Sequence, residues 1–399
     1  MTQDFVIIKG TKFFVKNGEL NLNNLGLTDI DQIEGLENLI NLKKLDLGDN
    51  ELEEIKGLEN FTNLEELNLY GNPIDYDELS LVGKSAQDVV SYCRDKKEGT
   101  LEFVIVESLV GYLNHYVLNG KLKLDMLDIK DISEIEGLEN LSNLQELDIG
   151  ENSIKQIHGL EDFTQLKILD LSGNKIEKME GVENLINLQE LNLYWNRINK
   201  INGLENLTKL RILNIGMNKI GMIEGLDNLT NLKNLDLYAT RIKKIEGLEN
   251  LTNLQYLGLS MNLIKEIKGL ENLENLQELR LFGNQIEEIG GLDHLLNLRR
   301  LNIGYNQLQE IKGLENLTNL QELDLSVNFI EEIKGIGNLT NLRELNMLGN
   351  RIKEIEGLEN LSKLQKINLS KNLIEEIKGV DHLLNLEELI LDENPIKED

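Results

Sequence analysis

A group of aromatic side chains is the first feature of this chain that could do chemistry. Aromatic residues make up only 5% of the 399-residue sequence, yet six of them lie beside short Leu-x-Leu segments built otherwise from aliphatic and small polar residues. These six are Tyr194, Trp195, Tyr238, Tyr256, Phe282 and Tyr305. Because Trp and Tyr dominate the binding energy of protein interfaces, their type and placement predict noncovalent recognition of a protein.

Further residues extend this candidate surface. From position 148 to position 368, the residue inside each Leu-x-Leu segment is Asp or Asn, except at Gly258 and Arg280, which lie among the aromatics. We therefore centre the predicted partner-binding site on residues 238–305. The other members assigned to it are Ile212, Met217, Asp236, Met261, Arg280 and Arg300. The aromatics could instead only support neighbouring strands, but we favour binding because a contiguous apolar surface patch usually marks an interaction site.

Covalent and metal chemistry are not predicted. The four histidines, His115, His158, His294 and His382, share no spacing suited to a metal or to catalysis. The single cysteine, Cys93, has no base near it in the sequence that would activate it. No phosphate-binding glycine motif or nucleophile elbow occurs. The sequence therefore predicts a protein that is not an enzyme, with no cofactor and no metal.

The charge balance narrows the class of partner. The formal net charge is -29, which disfavours nucleic acid and anionic membranes because both require a basic surface. A protein with a basic and apolar surface is the predicted partner. The N-terminus lacks the pattern of a secretory signal, and no run of 18 apolar residues predicts membrane insertion. A single cysteine also favours a reducing compartment, so we predict a cytoplasmic location.

An internal repeat must position these residues. From Asn152 to Asn394 an asparagine recurs every 22 residues after a Leu-x-x-Leu-x-Leu pattern, and the one exception is Thr240. We call these the ladder positions. Asn50 and Asn72 repeat the same step in a separate register. The Leu-x-Leu pair alternates as a strand does, and a single coil cannot bury its own leucines, so successive coils must stack.

The repeat pattern L-x-x-L-x-L-x-x-N-x-I-x-x-I-x-G-L-E-N-L resembles the 22-residue class of leucine-rich repeat. It is similar to the leucine-rich regulatory subunit of protein phosphatase 1 and to internalin repeat regions, over most of the chain. The resemblance implies a leucine-rich repeat solenoid of the α/β repeat class. Its parts would be a curved parallel β-sheet on the concave face, a short 3-10 or irregular convex side, and helical caps between two arrays. It also implies that the partner could be an enzyme such as a phosphatase or a GTPase.

The two prolines indicate where each array ends. Pro73 and Pro395 each follow the last ladder asparagine of a block, and proline removes a backbone donor, which suits the end of a stack. The segments that begin at Asn17 and Asn119 align at an offset of 102, which is not a multiple of 22. The sequence therefore predicts two leucine-rich arrays, a short one within 1–95 and a long one within 100–399.

Capping elements are predicted at the array ends. Residues 5–16 resemble a hairpin before the short array, and residues 78–95 have the apolar spacing of an amphipathic helix after it. Residues 101–118 predict a second helix, which would begin the long array. Its apolar face would consist of Leu101, Ile105, Leu109 and Leu113.

Three functions remain open at this level. The favoured interpretation is a non-catalytic scaffold that binds a protein partner on the concave face of the long array. One alternative is a secreted or surface adhesin of internalin type. The other is the regulatory repeat portion of a larger multidomain enzyme.

Overall fold

The Leu-x-Leu segments form nearly all the regular structure of this protein. The computed structural model describes residues 4–108 and 111–397, and the chain divides into two compact units, residues 1–148 and 149–399. The predicted leucine-rich repeat solenoid is confirmed: short parallel strands recur once per coil, with little helix between them. Among the described residues, no helix has the length and apolar character needed to cross a bilayer.

Among its described residues, the first unit contains two hairpins, two sets of parallel strands and one α-helix. The strands are β1 (Phe5–Ile8), β2 (Thr11–Phe14), β3 (Glu19–Asn21), β4 (Lys44–Asp46), β5 (Glu66–Asn68), β6 (Phe103–Ser108), β7 (Gly111–Tyr116), β8 (Lys121–Lys123) and β9 (Glu146–Asp148). The helix is α1 (Ala86–Glu98), and 3-10 helices span Ile30–Gln32, Leu36–Asn38, Tyr76–Leu81, Ile132–Glu134 and Leu138–Asn140. Strands β3, β4 and β5 form a parallel sheet, and β8 pairs in parallel with β9.

The second unit is a run of parallel three-residue strands. They are β10 (Ile168–Asp170), β11 (Glu190–Asn192), β12 (Ile212–Asn214), β13 (Asn234–Asp236), β14 (Tyr256–Gly258), β15 (Glu278–Arg280), β16 (Arg300–Asn302), β17 (Glu322–Asp324), β18 (Glu344–Asn346), β19 (Lys366–Asn368) and β20 (Glu388–Ile390). Each of β10 to β19 pairs with the strand 22 residues later, as Leu257 opposite Leu279 shows. The central residue of β10–β19 is buried, and burying one such aliphatic side chain contributes roughly 2 kcal/mol.

The ladder asparagines join successive coils. The Nδ2 of Asn196 donates to the carbonyl of Leu193 in its own turn (3.1 Å) and to that of Leu171 in the preceding coil (2.9 Å). Its Oδ1 accepts the N–H of Ile176, also in the preceding coil, at 2.9 Å. The side chain is buried, so these bonds satisfy backbone groups that water does not reach. This is the physical reason for the 22-residue recurrence of asparagine.

Thr240 changes the ladder locally. Its hydroxyl donates to the carbonyl of Leu237 at 2.8 Å, within its own turn. The backbone N–H of Gly221 in the preceding coil donates to the carbonyl of Thr240 at 2.9 Å. The residue after it, Arg241, has a left-handed backbone with φ of +66°. Threonine in place of the ladder asparagine is therefore accompanied by a changed hydrogen bond from the preceding coil and a changed backbone conformation in its own coil.

Of the three predicted caps, one is confirmed, one is confirmed in part and one is wrong. Strands β1 and β2 form the predicted hairpin. The helix predicted over 78–95 begins only at Ala86, after the 3-10 helix Tyr76–Leu81, and continues to Glu98, with Val89 and Val90 in the core of the first unit. The predicted helix over 101–118 is instead the antiparallel hairpin of β6 and β7.

The burial pattern explains that correction. Along β6, Val104 and Val106 are buried whereas Phe103 and Glu107 are exposed, which is the period of a strand and not of a helix. The β-branched residues of the segment also favour a strand. Leu109, assigned to the apolar face of the helix, lies outside the described residues.

Candidate functional site

Seven of the predicted site residues line one groove over the strands of the second unit. The groove has a volume of about 750 Å³ and is formed by side chains that flank the buried central leucines. The seven are Tyr194, Asp236, Tyr238, Tyr256, Arg280, Phe282 and Arg300. We call this surface the strand groove.

A missing side chain shapes the centre of the strand groove. A Cβ atom at Gly258 would lie 2.8 Å from both the Tyr256 hydroxyl and Asp236 Oδ1. Because Gly258 leaves this space open, the Tyr256 hydroxyl reaches Asp236 and donates to its Oδ2 at 3.3 Å. Burial raises the pKa of the Asp236 carboxyl and raises the pKa of Tyr256 to about 12. The pair therefore presents a partly buried acceptor beside a neutral phenol.

A chain of ion pairs borders this centre. Glu278 accepts from Arg280 Nε at 2.6 Å and from an Arg300 terminal nitrogen at 3.2 Å, and Arg300 Nε lies 3.0 Å from Glu322. The guanidinium carbon of Arg280 also lies 5.4 Å from the centre of the Tyr256 ring, within cation–π range. Both guanidinium groups remain more than half exposed, so they can exchange these partners for groups of a ligand.

The column that contains Gly258 and Arg280 has a structural role elsewhere. Where this third strand residue is Asp or Asn, its side-chain oxygen accepts the N–H two residues later, as Asp324 does from Ser326 at 2.9 Å. Glycine and arginine have no acceptor oxygen, so this turn-forming bond is lost at both positions. Such a bond contributes about 1 kcal/mol. The turns that follow Gly258 and Arg280, at the centre of the groove, therefore lack this stabilising hydrogen bond.

The remaining five predicted residues do not line the strand groove. Ile212 is the exposed first residue of β12. The other four directly precede a ladder asparagine and have left-handed backbones: Trp195, Met217, Met261 and Tyr305. Tyr305 borders the groove, because its ring lies 5.7 Å from that of Phe282. We call the position before each ladder residue the pre-ladder position.

Sequence reasoning missed the acidic side of the groove. Glu278, Glu322 and Glu344 line it beside Arg300, and all four are the first residues of their strands. The signal was present in the repeat, since these residues recur at 22-residue spacing on the same column. Among the described residues, no group of three or more His, Cys, Asp and Glu is arranged to hold a metal ion.

The pre-ladder position provides a test of strain. Val327 has φ of +52°, a region that is a genuine outlier for a β-branched residue, whereas other coils place Gly283 or Gly349 there. We expect Val327→Asn to raise the free energy of unfolding by about 1 kcal/mol, because asparagine tolerates this conformation. Urea denaturation followed by circular dichroism measures it. A lower free energy of unfolding would instead show that packing of the valine side chain contributes more than the backbone strain costs.

Comparison with known proteins agrees with this geometry. The family described as Leucine Rich repeats (2 copies) matches residues 40–81, 142–185, 186–228, 230–272, 274–317 and 318–360, which together exceed half of the chain. No curated protein sequence matches the chain.

Solved structures share the fold. An internalin (inlF) from Listeria monocytogenes has 26% identity and a TM-score of 0.61, with 91% of this chain and 89% of that chain covered. A leucine-rich repeat protein of Leptospira interrogans has 26% identity and a TM-score of 0.51 over 94% of this chain and 78% of that one. The plant peptide hormone receptor RGFR1, solved in complex with RGF2, has 22% identity and a TM-score of 0.56 over 90% of this chain and 56% of the receptor.

Proposed function

Because this chain belongs to the leucine-rich repeat family, whose repeats serve as protein-interaction scaffolds, we propose that it is a non-catalytic scaffold that binds a protein partner in the strand groove. The observation that carries the proposal is the replacement of turn-forming Asp or Asn by Gly258 and Arg280. Both positions lack the stabilising hydrogen bond of the turn. The space that Gly258 leaves open allows the Tyr256 hydroxyl to bond to Asp236. A repeat selected for stability alone would retain the acceptor there.

The chemistry of the strand groove supports a protein rather than a small molecule. Aromatic rings at Tyr194, Tyr238, Tyr256 and Phe282 line the groove together with charged side chains. Large rigid aromatics beside arginine are the typical composition of interface hot spots. Glu322 and Glu344 on the same floor favour a partner segment with basic as well as apolar side chains. An enzyme such as a phosphatase or a GTPase fits this class of partner, and the resemblance to the phosphatase regulator stays a prediction.

The single cysteine supports a non-catalytic role. Cys93 is buried, and burial raises the pKa of its thiol to about 12. Since the thiolate is the nucleophilic form, this side chain is almost fully protonated at neutral pH.

We expect a groove variant to lose its partner. In the full chain, Tyr238→Ala, Tyr256→Ala and Phe282→Ala together remove the central rings, and we expect binding at least about 100-fold weaker, because each hot-spot aromatic contributes on the order of 2 kcal/mol. The partner is identified by affinity capture and mass spectrometry, and its Kd for each variant is then measured by calorimetry with the purified partner.

A matched variant controls for exposed apolar area. Leu296→Ala, Phe329→Ala and Leu384→Ala remove side chains that are 53%, 42% and 90% exposed, and none of the three lines the strand groove. We expect this variant to bind as the intact chain does. Equal affinity of all three proteins would exclude the strand groove as the binding site.

A second candidate function is a surface adhesin, favoured by the similarity to an internalin structure. The two candidates differ in where the protein acts, and we propose a cytoplasmic location. Antibody labelling of intact and of permeabilised cells separates them. Labelling of intact cells would support the adhesin, and labelling only after permeabilisation would support the scaffold.

A further inference from the structure

A row of basic side chains crosses four coils of the second unit, outside the strand groove. The residue directly after the ladder position is basic in each of these coils: Lys175, Arg197, Lys219 and Arg241. Backbone hydrogen bonds hold the first three in register, since the N–H of Arg197 donates to Ile176 and that of Lys219 to Ile198, both at 2.8 Å. Neighbouring coils are separated by about 4.8 Å, so these cations form a line.

The same side of the unit continues into a basic depression. Lys243 and Lys244 line it together with Lys265 and Lys268, and its volume is about 790 Å³. Two carboxylates, those of Glu246 and Glu266, also line it. We define the basic flank as Lys175, Arg197, Lys219, Arg241, Lys243 and Lys244.

Most of these cations lack a carboxylate partner. Further along later coils, six residues after the ladder position, lysines pair with a glutamate of their own coil, as Lys268 does with Glu266 and Lys334 with Glu332, both at 2.5 Å. Within residues 4–108 and 111–397, no carboxylate oxygen lies within 4.0 Å of Arg197, Lys219, Arg241, Lys243 or Lys244. Like charges that lie close together repel one another. This repulsion lowers the stability of the folded protein, and the repeat pattern does not require basic residues at these positions.

Exposed apolar side chains accompany the row. Trp195 and Met217 occupy the pre-ladder positions two residues before Arg197 and Lys219, and they are 55% and 37% exposed. Met222, on the segment after Lys219, is 57% exposed. The surface therefore offers cations next to apolar area, which differs from a purely solvated face.

The ladder irregularity lies at the same place. Thr240 directly precedes Arg241, and its carbonyl accepts the N–H of Gly221 in the preceding coil. Arg241 itself has a left-handed backbone. A departure from the repeat thus coincides with the unpaired cations, as expected where a repeat has been modified for recognition.

We propose that the basic flank binds a short acidic segment of a protein partner, one that also carries apolar side chains. Four coils at about 4.8 Å spacing span about 14 Å, which an extended segment of about five residues covers at roughly 3.3 Å per residue. A longer polyanion is disfavoured, because the chain has a net charge of -29 and would repel the parts of it that extend beyond the flank. This proposal concerns different side chains from the strand groove and does not rest on it.

A displayed peptide library tests the proposal with the full chain. Random 12-residue peptides are selected on the immobilised protein, and the affinities of recovered peptides are measured by fluorescence anisotropy. We expect enrichment of Asp and Glu together with apolar residues, and binding that weakens as NaCl is raised, because exposed charges are screened. The variant Arg197→Gln, Lys219→Gln, Arg241→Gln is expected to bind these peptides at least 10-fold more weakly.

The control variant removes the same charge elsewhere. Lys312→Gln, Lys334→Gln and Lys378→Gln lie six residues after the ladder position of later coils, where each lysine pairs with a glutamate, and we expect less than a 2-fold change. Tyr238→Ala, Tyr256→Ala, Phe282→Ala should also leave peptide affinity unchanged, which separates this surface from the strand groove. Selection without acidic enrichment, equal losses in the two glutamine variants, or tighter binding of a single-stranded oligonucleotide than of any peptide would overturn the proposal.

Discussion

Gly357→Ala is expected to lower the free energy of unfolding by about 3 kcal/mol. Gly357 has φ of +79°, and a Cβ atom there would lie 2.0 Å from the backbone carbonyl oxygen of Ile333 in the preceding coil. The left-handed conformation costs an alanine roughly 1 kcal/mol, and relief of a clash against backbone in a close-packed core adds about 1–3 kcal/mol. Urea denaturation monitored by circular dichroism gives the difference.

Gly221→Ala is the matched control for that variant. Gly221 has φ of +77°, nearly the same conformation, but among the described residues no heavy atom lies within 4 Å of a Cβ built there. We expect a loss of about 1 kcal/mol, from the backbone conformation alone. Equal losses at the two glycines would mean that the coils separate easily and that close contact between them contributes little.

Asn262→Ala is expected to cost about 3 kcal/mol of unfolding free energy. The Nδ2 of Asn262 donates to the carbonyls of Leu237 (2.8 Å) and Leu259 (3.0 Å), and its Oδ1 accepts the N–H of Ile242 at 2.9 Å. In the alanine variant these buried carbonyl and N–H groups have no hydrogen-bond partner. Each such unsatisfied group costs on the order of 1 kcal/mol or more. Urea denaturation again measures the change.

Asn253→Ala provides the comparison. Asn253 also bonds across coils, from its Nδ2 to the carbonyl of Thr230 at 2.8 Å, but both residues are exposed. Water can replace that bond, so we expect a loss below about 1 kcal/mol. If both variants lose the same stability, burial is not what makes the ladder important.

The repeat determines how much of the fold the sequence could predict. Aliphatic residues and asparagine recur at the same spacing in coil after coil, so each observation was repeated many times and the solenoid follows from it. The caps occur once or twice and carry no such redundancy. Leu101, Ile105, Leu109 and Leu113 fit a helical period by chance. The better signal was that Phe103-Val104-Ile105 repeats Phe5-Val6-Ile7, the first strand of a hairpin that the sequence did predict.

The sequence could predict which positions of the repeat form the candidate site. Spacing alone placed Tyr256, Arg280 and Phe282 on columns that meet over the strands. It could not show that Trp195 and Met217 lie on left-handed turns beside the basic row, because backbone conformation does not follow from period. Nor could it show that Glu278 joins Arg280 to Arg300, since that depends on side-chain conformation.

The 22-residue register also has a consequence for how the chain is made. Strands β11 to β20 each pair with the strand 22 residues earlier in a chain of 399, so native contacts are local along the sequence, which favours fast folding. Stacked repeats can propagate structure from neighbour to neighbour. During synthesis, each new coil therefore emerges when its only required template is already complete. The growing end can fold onto it without waiting for any distant part of the chain.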